Sequence, residues 1–192
     1  MSDPDHSEFS ERGYVKIANV LHPGTLEILH QYVQFQQQSN PAYFKDKKNS
    51  IGRYSDFPGE GLLLQLKERA EEILSLQLYP TFSYLECFTK GKFESIKKNN
   101  SSCEFTMVVP IGADDPTMAS VVELKNDTLK YQIDLSPGQI LLYHGTKITN
   151  CQFQISQKEW FQFYLHYVDV NGPYKAQKFD KRDHVGTLPN AH

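Results

Sequence analysis

Residues 135–145 read LSPGQILLYHG, a Pro-Gly turn that feeds straight into an apolar strand. Pro137 and Gly138 are turn formers, and a turn that hands directly to Ile140, Leu141 and Leu142 is a common corner of an antiparallel barrel. The same grammar repeats on both sides. TFSYLECF (81–88), CEFTMVVPI (103–111), ASVVEL (119–124), LKYQIDL (129–135), ITNCQFQI (148–155) and WFQFYLHYVDV (160–170) are short runs rich in aromatic and β-branched residues, separated by turn signals.

Upstream of these strands the pattern changes. GYVKIANV (13–20) is β-like, with Tyr14, Val15, Ile17 and Val20 as its apolar members. HPGTLEILHQYVQFQQQ (22–38) places Pro23 in a first turn and Leu26, Leu29, His30 and Val33 at helical spacing. Residues 39–60 hold Pro, Gly, Asn and Ser with scattered charge and predict a long loop, of the kind that often binds. A second helix is predicted through GLLLQLKERAEEILSLQ (61–77), with Leu62, Leu63, Leu66, Ala70, Ile73 and Leu74 inward and Pro80 ending it. The polar tail, 171–192, is expected to cross the surface, and the first residues to form a short flexible N-terminus. Two helices followed by about seven strands predict an α+β chain: a sandwich or barrel of antiparallel strands with the N-terminal helices packed on one side.

At 192 residues the chain is expected to be one domain, 1–192. Twelve Phe, eleven Tyr and one Trp within a 39% apolar composition suit a sheet-rich globule. A net charge of −3 lacks the basic footprint that nucleic acid requires. The start MSDPDHSEF has neither the basic nor the apolar part of a signal peptide, and no run approaches the roughly 18 apolar residues of a membrane helix. The expectation is a cytoplasmic protein with no nucleic-acid or membrane partner. Cys87, Cys103 and Cys151 have no C-x-x-C spacing, so buried thiols are expected rather than a disulfide framework or zinc knuckle.

The order of several phrases resembles one family. GYVKIANVLHPGTLEIL, RYSDFPGEGLLLQL, LYPTFSYLECFTKGK, SSCEFTMVVPIG, LSPGQILLYHGTKI, FYLHYVDVNGPY and KFDKR follow one another as in the iron(II)- and 2-oxoglutarate-dependent oxygenases of the prolyl-hydroxylase-like type. That resemblance implies a double-stranded β-helix, the jelly-roll or cupin-like barrel, over nearly the whole chain. It also implies three iron ligands: a His-x-Asp pair between the PT-x-SY and SCE strands, and a distal His after the PG-x-x-L-x-Y-x-G strand. Laid on the pattern without gaps, this sequence has Lys97 at the first His position, Asn99 at the Asp position and Asn150 at the distal His position. A protonated lysine repels a divalent cation, and neutral amides are poor iron ligands beside imidazole and carboxylate. The resemblance therefore implies a degenerate member without bound Fe(II).

The 2-oxoglutarate anchor is expected as an Arg or Lys some ten residues beyond the distal ligand. There the chain has Trp160, Phe161 and Gln162, with only Lys158 or the more distant Lys147 as cations. Neither Fe(II) nor 2-oxoglutarate is thus predicted as a cofactor. Other candidates for a pocket are Thr149, Tyr84, Glu86, His144 and Lys158. Lys97 could pair with Glu86 or Glu104, act as a desolvated base, or lie solvated on the surface. His144, His166, Cys103 and Cys151 offer no ligand spacing for a replacement metal.

Two functions follow from the sequence. One is a non-catalytic homologue that binds or regulates a protein partner: an active oxygenase of this family, or a second copy of itself as a homodimer. The N-terminal helices or the aromatics Tyr43, Phe44, Tyr54 and Phe57 would form the interface. The other is an enzyme of altered or metal-independent mechanism acting on a small polar substrate; its milder form binds a small anion through Lys97, Asn99, Thr149 and Asn150.

Overall fold

The computed structural model describes residues 4–47, 50–94, 100–113, 119–126, 128–148 and 150–187. Helices α1 (Pro4–Arg12), α2 (Pro23–Ser39), α3 (Phe57–Gln65) and α4 (Lys67–Leu74) accompany nine strands. These are β1 (Tyr14–Ile17), β2 (Lys45–Lys47), β3 (Ser50–Tyr54), β4 (Leu78–Glu94), β5 (Phe105–Gly112), β6 (Ser120–Lys125), β7 (Lys130–Leu135), β8 (Ile140–His144) and β9 (Asn150–Asp169). All pairings are antiparallel, in the order β1-β8-β5-β9-β4-β3-β2, with β6 joining β7 to β9.

β4 and β9 belong to two layers at once. Their pairing begins at Leu78↔Asp169 and ends at Glu94↔Gln152, with register shifts between Pro80 and Ser83 and between Thr89 and Gly91. The shift at Thr89 divides each strand. One half joins the broad layer with β5, β8, β1, β3 and β2; the other joins β6 and β7. A bulge bends a strand and increases its twist, which lets one continuous strand turn the corner of the barrel.

Side chains alternate across the broad layer as strand geometry requires. One set, with Leu85, Met107, Leu142, Phe163, Leu165 and Tyr167, packs under Leu63, Leu66, Ala70 and Ile73 of the helices. The other set, with Phe88, Val108, Leu141, Tyr143, Trp160 and Tyr164, meets Val122, Leu124, Ile133, Leu135 and Phe153 from the smaller layer. That second cluster is the barrel interior, and the architecture is the double-stranded β-helix with helices on one side.

Several expectations need correction. The N-terminus is a helix over residues 4–12 because Phe9 is buried, Asp5 pairs with Arg69, and His6 Nδ1 lies 2.7 Å from the Ile73 carbonyl oxygen. The loop of residues 39–60 contains β2 and β3, the latter paired with β4 from Ser50↔Phe88 to Tyr54↔Tyr84. The second helix is two, α3 and α4, broken at Leu66 where ψ is −2°. It ends at Ser75, whose φ of 53° is left-handed, rather than at Pro80, which sits inside β4 beside a register shift. ITNCQFQI and WFQFYLHYVDV form one continuous strand, β9. Among the described residues no helix is long and apolar enough to cross a membrane.

The tail does more than cross the surface. Arg182 is buried against Glu60 of α3 at 3.1 Å, with side-chain exposures of 1% and 3%. Its guanidinium also donates to the Thr81 carbonyl at 2.7 Å and to Ser55 Oγ. Glu60 accepts in turn from Ser83 N and Oγ, each at 2.8 Å, and from Gly186 N at 2.9 Å. Breaking a buried pair strands its other charge. Arg182→Ala should therefore lose about 3–5 kcal/mol in urea unfolding, whereas Arg12→Ala, which removes an exposed pair with Glu8, should change stability by less than about 1 kcal/mol.

Candidate functional site

The barrel interior is built in rows across neighbouring strands. Glu86 lies between Gly52 of β3 and Gln162 of β9, and Gln162 in turn faces Pro110 of β5. One row along, Tyr84 stands between Tyr54 and Tyr164, and Tyr164 pairs with Val108. Phe88 is paired with Trp160, and Thr106 with His166. Gly52 has a packing reason: a Cβ there would collide with the Tyr84 ring, so only glycine lets that ring lie across β3.

Every second residue of β9, from Trp160 through Gln162 and Tyr164 to His166, is wholly buried. Three of them form a chain. Trp160 Nε1 donates to Gln162 Oε1 at 2.9 Å, and Gln162 Nε2 donates to the Tyr164 hydroxyl at 2.6 Å. A buried amide is costly unless both its ends are engaged, and Gln162 is engaged at both. His166 Nδ1 lies 3.0 Å from Thr106 Oγ1, while its Nε2 has no partner among the described residues. Its ring packs between Phe82 at 4.4 Å and Tyr164 at 6.3 Å. Burial alone depresses its pKa to about 3, so the imidazole is neutral.

The structure brings some predicted site residues together and separates others. Tyr84 and Glu86 both line the interior, where Glu86 Oε1 accepts from Ser50 Oγ at 2.8 Å. Glu104, the other acid considered for Lys97, accepts from Asp169 N at 2.9 Å. His144 lies apart from this group. It pairs with Phe105 in register, its ring rests 4.8 Å from that of Phe105, and it lines a cleft of about 480 Å³ with Phe9, Arg12, Lys147 and Ile148. Burial, then Lys147, lower its pKa to about 4. Asn150 begins β9 opposite Lys125, and Lys158 is within the same strand; the side chains of both lie outside the described residues. Lys97, Asn99 and Thr149 also lie outside them. The cysteines are buried thiols outside any disulfide, as expected, and those of Cys87 and Cys103 are pushed well above their ordinary range by burial.

The described residues of the interior do not fit 2-oxoglutarate. Ten and twelve residues beyond Asn150, where the resemblance calls for a cation, stand an indole and an amide bonded to one another. Among the buried described residues Arg182 is the one Lys or Arg, and it is committed to Glu60. The buried charge in the interior is the carboxylate of Glu86, which repels a dianion rather than pairing with it. Among the described residues no three His, Cys, Asp or Glu side chains gather as metal ligands.

The sequence pointed to Trp160 and Gln162 only as missing cations, and it left His166 without a role. The signal for all three was the alternation W-x-Q-x-Y-x-H, which sets four polar-tipped rings and amides on one strand face.

No protein-family model matches the chain, and no curated protein matches it in sequence. Solved structures do. A prolyl hydroxylase from Trichoplax adhaerens, in complex with a hypoxia inducible factor oxygen degradation domain peptide fragment, superposes with a TM-score of 0.69 at 13% identity, covering 94% of this chain and 93% of that one. A prolyl-4-hydroxylase from Pseudomonas putida gives 0.65 at 8% identity over 88% and 99%. A 2OG-Fe(II) oxygenase family oxidoreductase from Burkholderia pseudomallei gives 0.64 at 12% identity over 88% and 90%. At such identities the likeness is one of fold: this chain has the double-stranded β-helix that these oxygenases use.

Because His166 is depressed below its unfolded value, the unfolded chain binds its proton first. The stability this group contributes is present above pH 6.5 and is lost as pH falls toward 3. Its replacement in His166→Gln should flatten the dependence of unfolding free energy on pH between 4 and 6 by about 1.4 kcal/mol per pH unit, read from urea titrations at several pH values.

Proposed function

We propose that this chain keeps the oxygenase barrel as a scaffold without oxygenase chemistry, and works by binding. Its role is that of partner or regulator of another protein, either an active oxygenase of the same fold or a second copy of itself. The observation that carries the reading is Trp160. Its buried indole, tied into the chain with Gln162 and Tyr164, takes up interior space at a position where the resemblance calls for a cosubstrate anchor. A ligand entering there would have to break two hydrogen bonds and expel a packed aromatic ring. The substitutions at Lys97, Asn99 and Asn150 support the same reading from the metal side, since none of the three side chains is an anionic or imidazole ligand. A cytoplasmic setting belongs to the proposal and is supported by three free, buried cysteines.

Trp160 is the single tryptophan of the chain, so fluorescence excited at wavelengths that tyrosine does not absorb reports on the barrel interior. Anaerobic titration with Fe(II), then with 2-oxoglutarate to millimolar concentration, is expected to leave its emission unchanged, with no metal-to-ligand absorption band and no iron at stoichiometry by elemental analysis. A saturable fluorescence change with both added, or one tightly bound iron per chain, would overturn the proposal.

A further inference from the structure

The outer surface of the helical layer differs from the rest of the molecule. Away from its first turn and its last residue, the exposed residues of α2 are Glu27, Ile28, Gln31, Phe35 and Gln38. Ile28 is 69% exposed and Phe35 64%, and at seven residues apart they stand on one face, two turns from each other. On α3, Phe57 at 74% and Leu64 at 53% repeat the same spacing. Gly61 lies between them, and a side chain there would meet open space, so the surface between the two apolar residues is a shallow notch. Five large apolar side chains are at least 53% exposed among the described residues, and four of them are these.

Charge is missing from the same region. Residues 28–44 contain no Asp, Glu, Lys or Arg in a chain that is 22% charged. The single charge of α3, Glu60, is buried against Arg182. α1 and α4 look different, with surface pairs Arg12–Glu8, Lys67–Glu71 and Arg69–Glu72. The start of α3 is tied to the middle of α2, since the Tyr32 hydroxyl of α2 donates to Asp56, the residue that precedes α3, at 2.9 Å. Tyr43 donates to the same carboxylate. Of the loop aromatics, Phe44 is buried and Tyr43 and Tyr54 are half-buried, so Phe57 is the member that reaches this surface.

We infer that this face binds a second copy of the chain, with two α2 helices antiparallel about a two-fold axis. The composition favours an identical partner. In an isologous contact Ile28 meets Phe35 of the other copy and Phe35 meets its Ile28. The intervening glutamines carry both a donor and an acceptor, so amide meets amide without repulsion. A charged partner would find only Glu27 to pair with, and interface cores are depleted of charge. The helices are about 25 and 14 Å long and about 10 Å wide. Their footprint falls short of the roughly 800 Å² that each side of a standard interface buries, so the dimer is a reversible one. This inference rests on the second-copy arm of the proposed function and gives it a surface; a monomer would overturn that arm while leaving the iron and 2-oxoglutarate results untouched.

Sedimentation velocity on the full chain over a concentration series from micromolar to sub-millimolar tests it. The expected result is a concentration-dependent monomer–dimer equilibrium. Phe35→Glu and Ile28→Glu should each weaken it by at least about tenfold, while Leu129→Glu, equally exposed but in the β6–β7 turn, leaves it unchanged. Circular dichroism checks that each variant is folded. Because Gln31 lies midway between the two apolar residues, Gln31→Cys should form an intermolecular disulfide under mild oxidation. A chain that stays monomeric throughout, a dimer indifferent to both glutamate variants, or a dimer that Gln31→Cys fails to cross-link would overturn the inference.

Discussion

The pairing of β4 with β9 organises the molecule, because both strands run through both layers and their register decides which side chains share the interior. Since side-chain direction alternates at every residue, a slip of one position would exchange Trp160, Gln162, Tyr164 and His166 for Phe161, Phe163, Leu165 and Tyr167. The first set meets the smaller layer, and the second meets the helices. Such a slip would strand polar groups under α3 and α4 and part His166 from Thr106 of β5, while the Trp160–Gln162–Tyr164 chain, internal to β9, would move as one. The polar face of β9 thus disfavours a slipped register through the cost of burying it against the apolar helices.

A barrel of this kind can hold a ligand or fill its own interior, and the two options draw on the same positions. The interior residues here are large and bonded to each other: an indole, an amide and a phenol in sequence on one strand, with Phe88 and Phe153 beside them at 2% exposure or less. Filling the space this way stabilises the fold through dispersion and through hydrogen bonds that have no competing water. It also removes the reason to retain a cation. The helical layer, in contrast, has given up the charges that keep an exposed surface solvated. Both features support the proposal that the molecule's interactions lie on its outside and not in the barrel interior.

Much of the fold was legible in the residues. The Pro137-Gly138 turn, the alternating strands and the inward stripe from Leu62 to Leu74 all lie where their patterns place them, because each is a local signal with a fixed period. The differences arose where long-range partners override local chemistry. β3 reads as a loop because Gly52 and Ser50 are weak strand formers, yet β4 supplies a ladder and Tyr84 requires the glycine. Pro80 reads as a helix end but is tolerated in β4 because a register shift removes the need for its missing N–H. α1 is too short and polar to declare itself, and it depends on Phe9 and the Asp5–Arg69 pair to dock. At the site, the sequence marked Trp160 and Gln162 as an absence of charge; that they bond to each other follows only from their shared face on one strand. Arg182 was lost among the polar tail because nothing local reveals that its partner is Glu60.

That last separation bears on how the molecule comes into being. Glu60 and Arg182 are 122 positions apart, and β1 finds its partner β8 across a similar span, Tyr14 opposite Tyr143. A chain emerging from its N-terminus therefore makes α3 and its carboxylate long before the guanidinium that pairs with it. Before residue 182 is made, Glu60 has the Ser83 donors but not its cation, so the ion pair that ties α3 to the tail can form only after both long strands, β4 and β9, have been made.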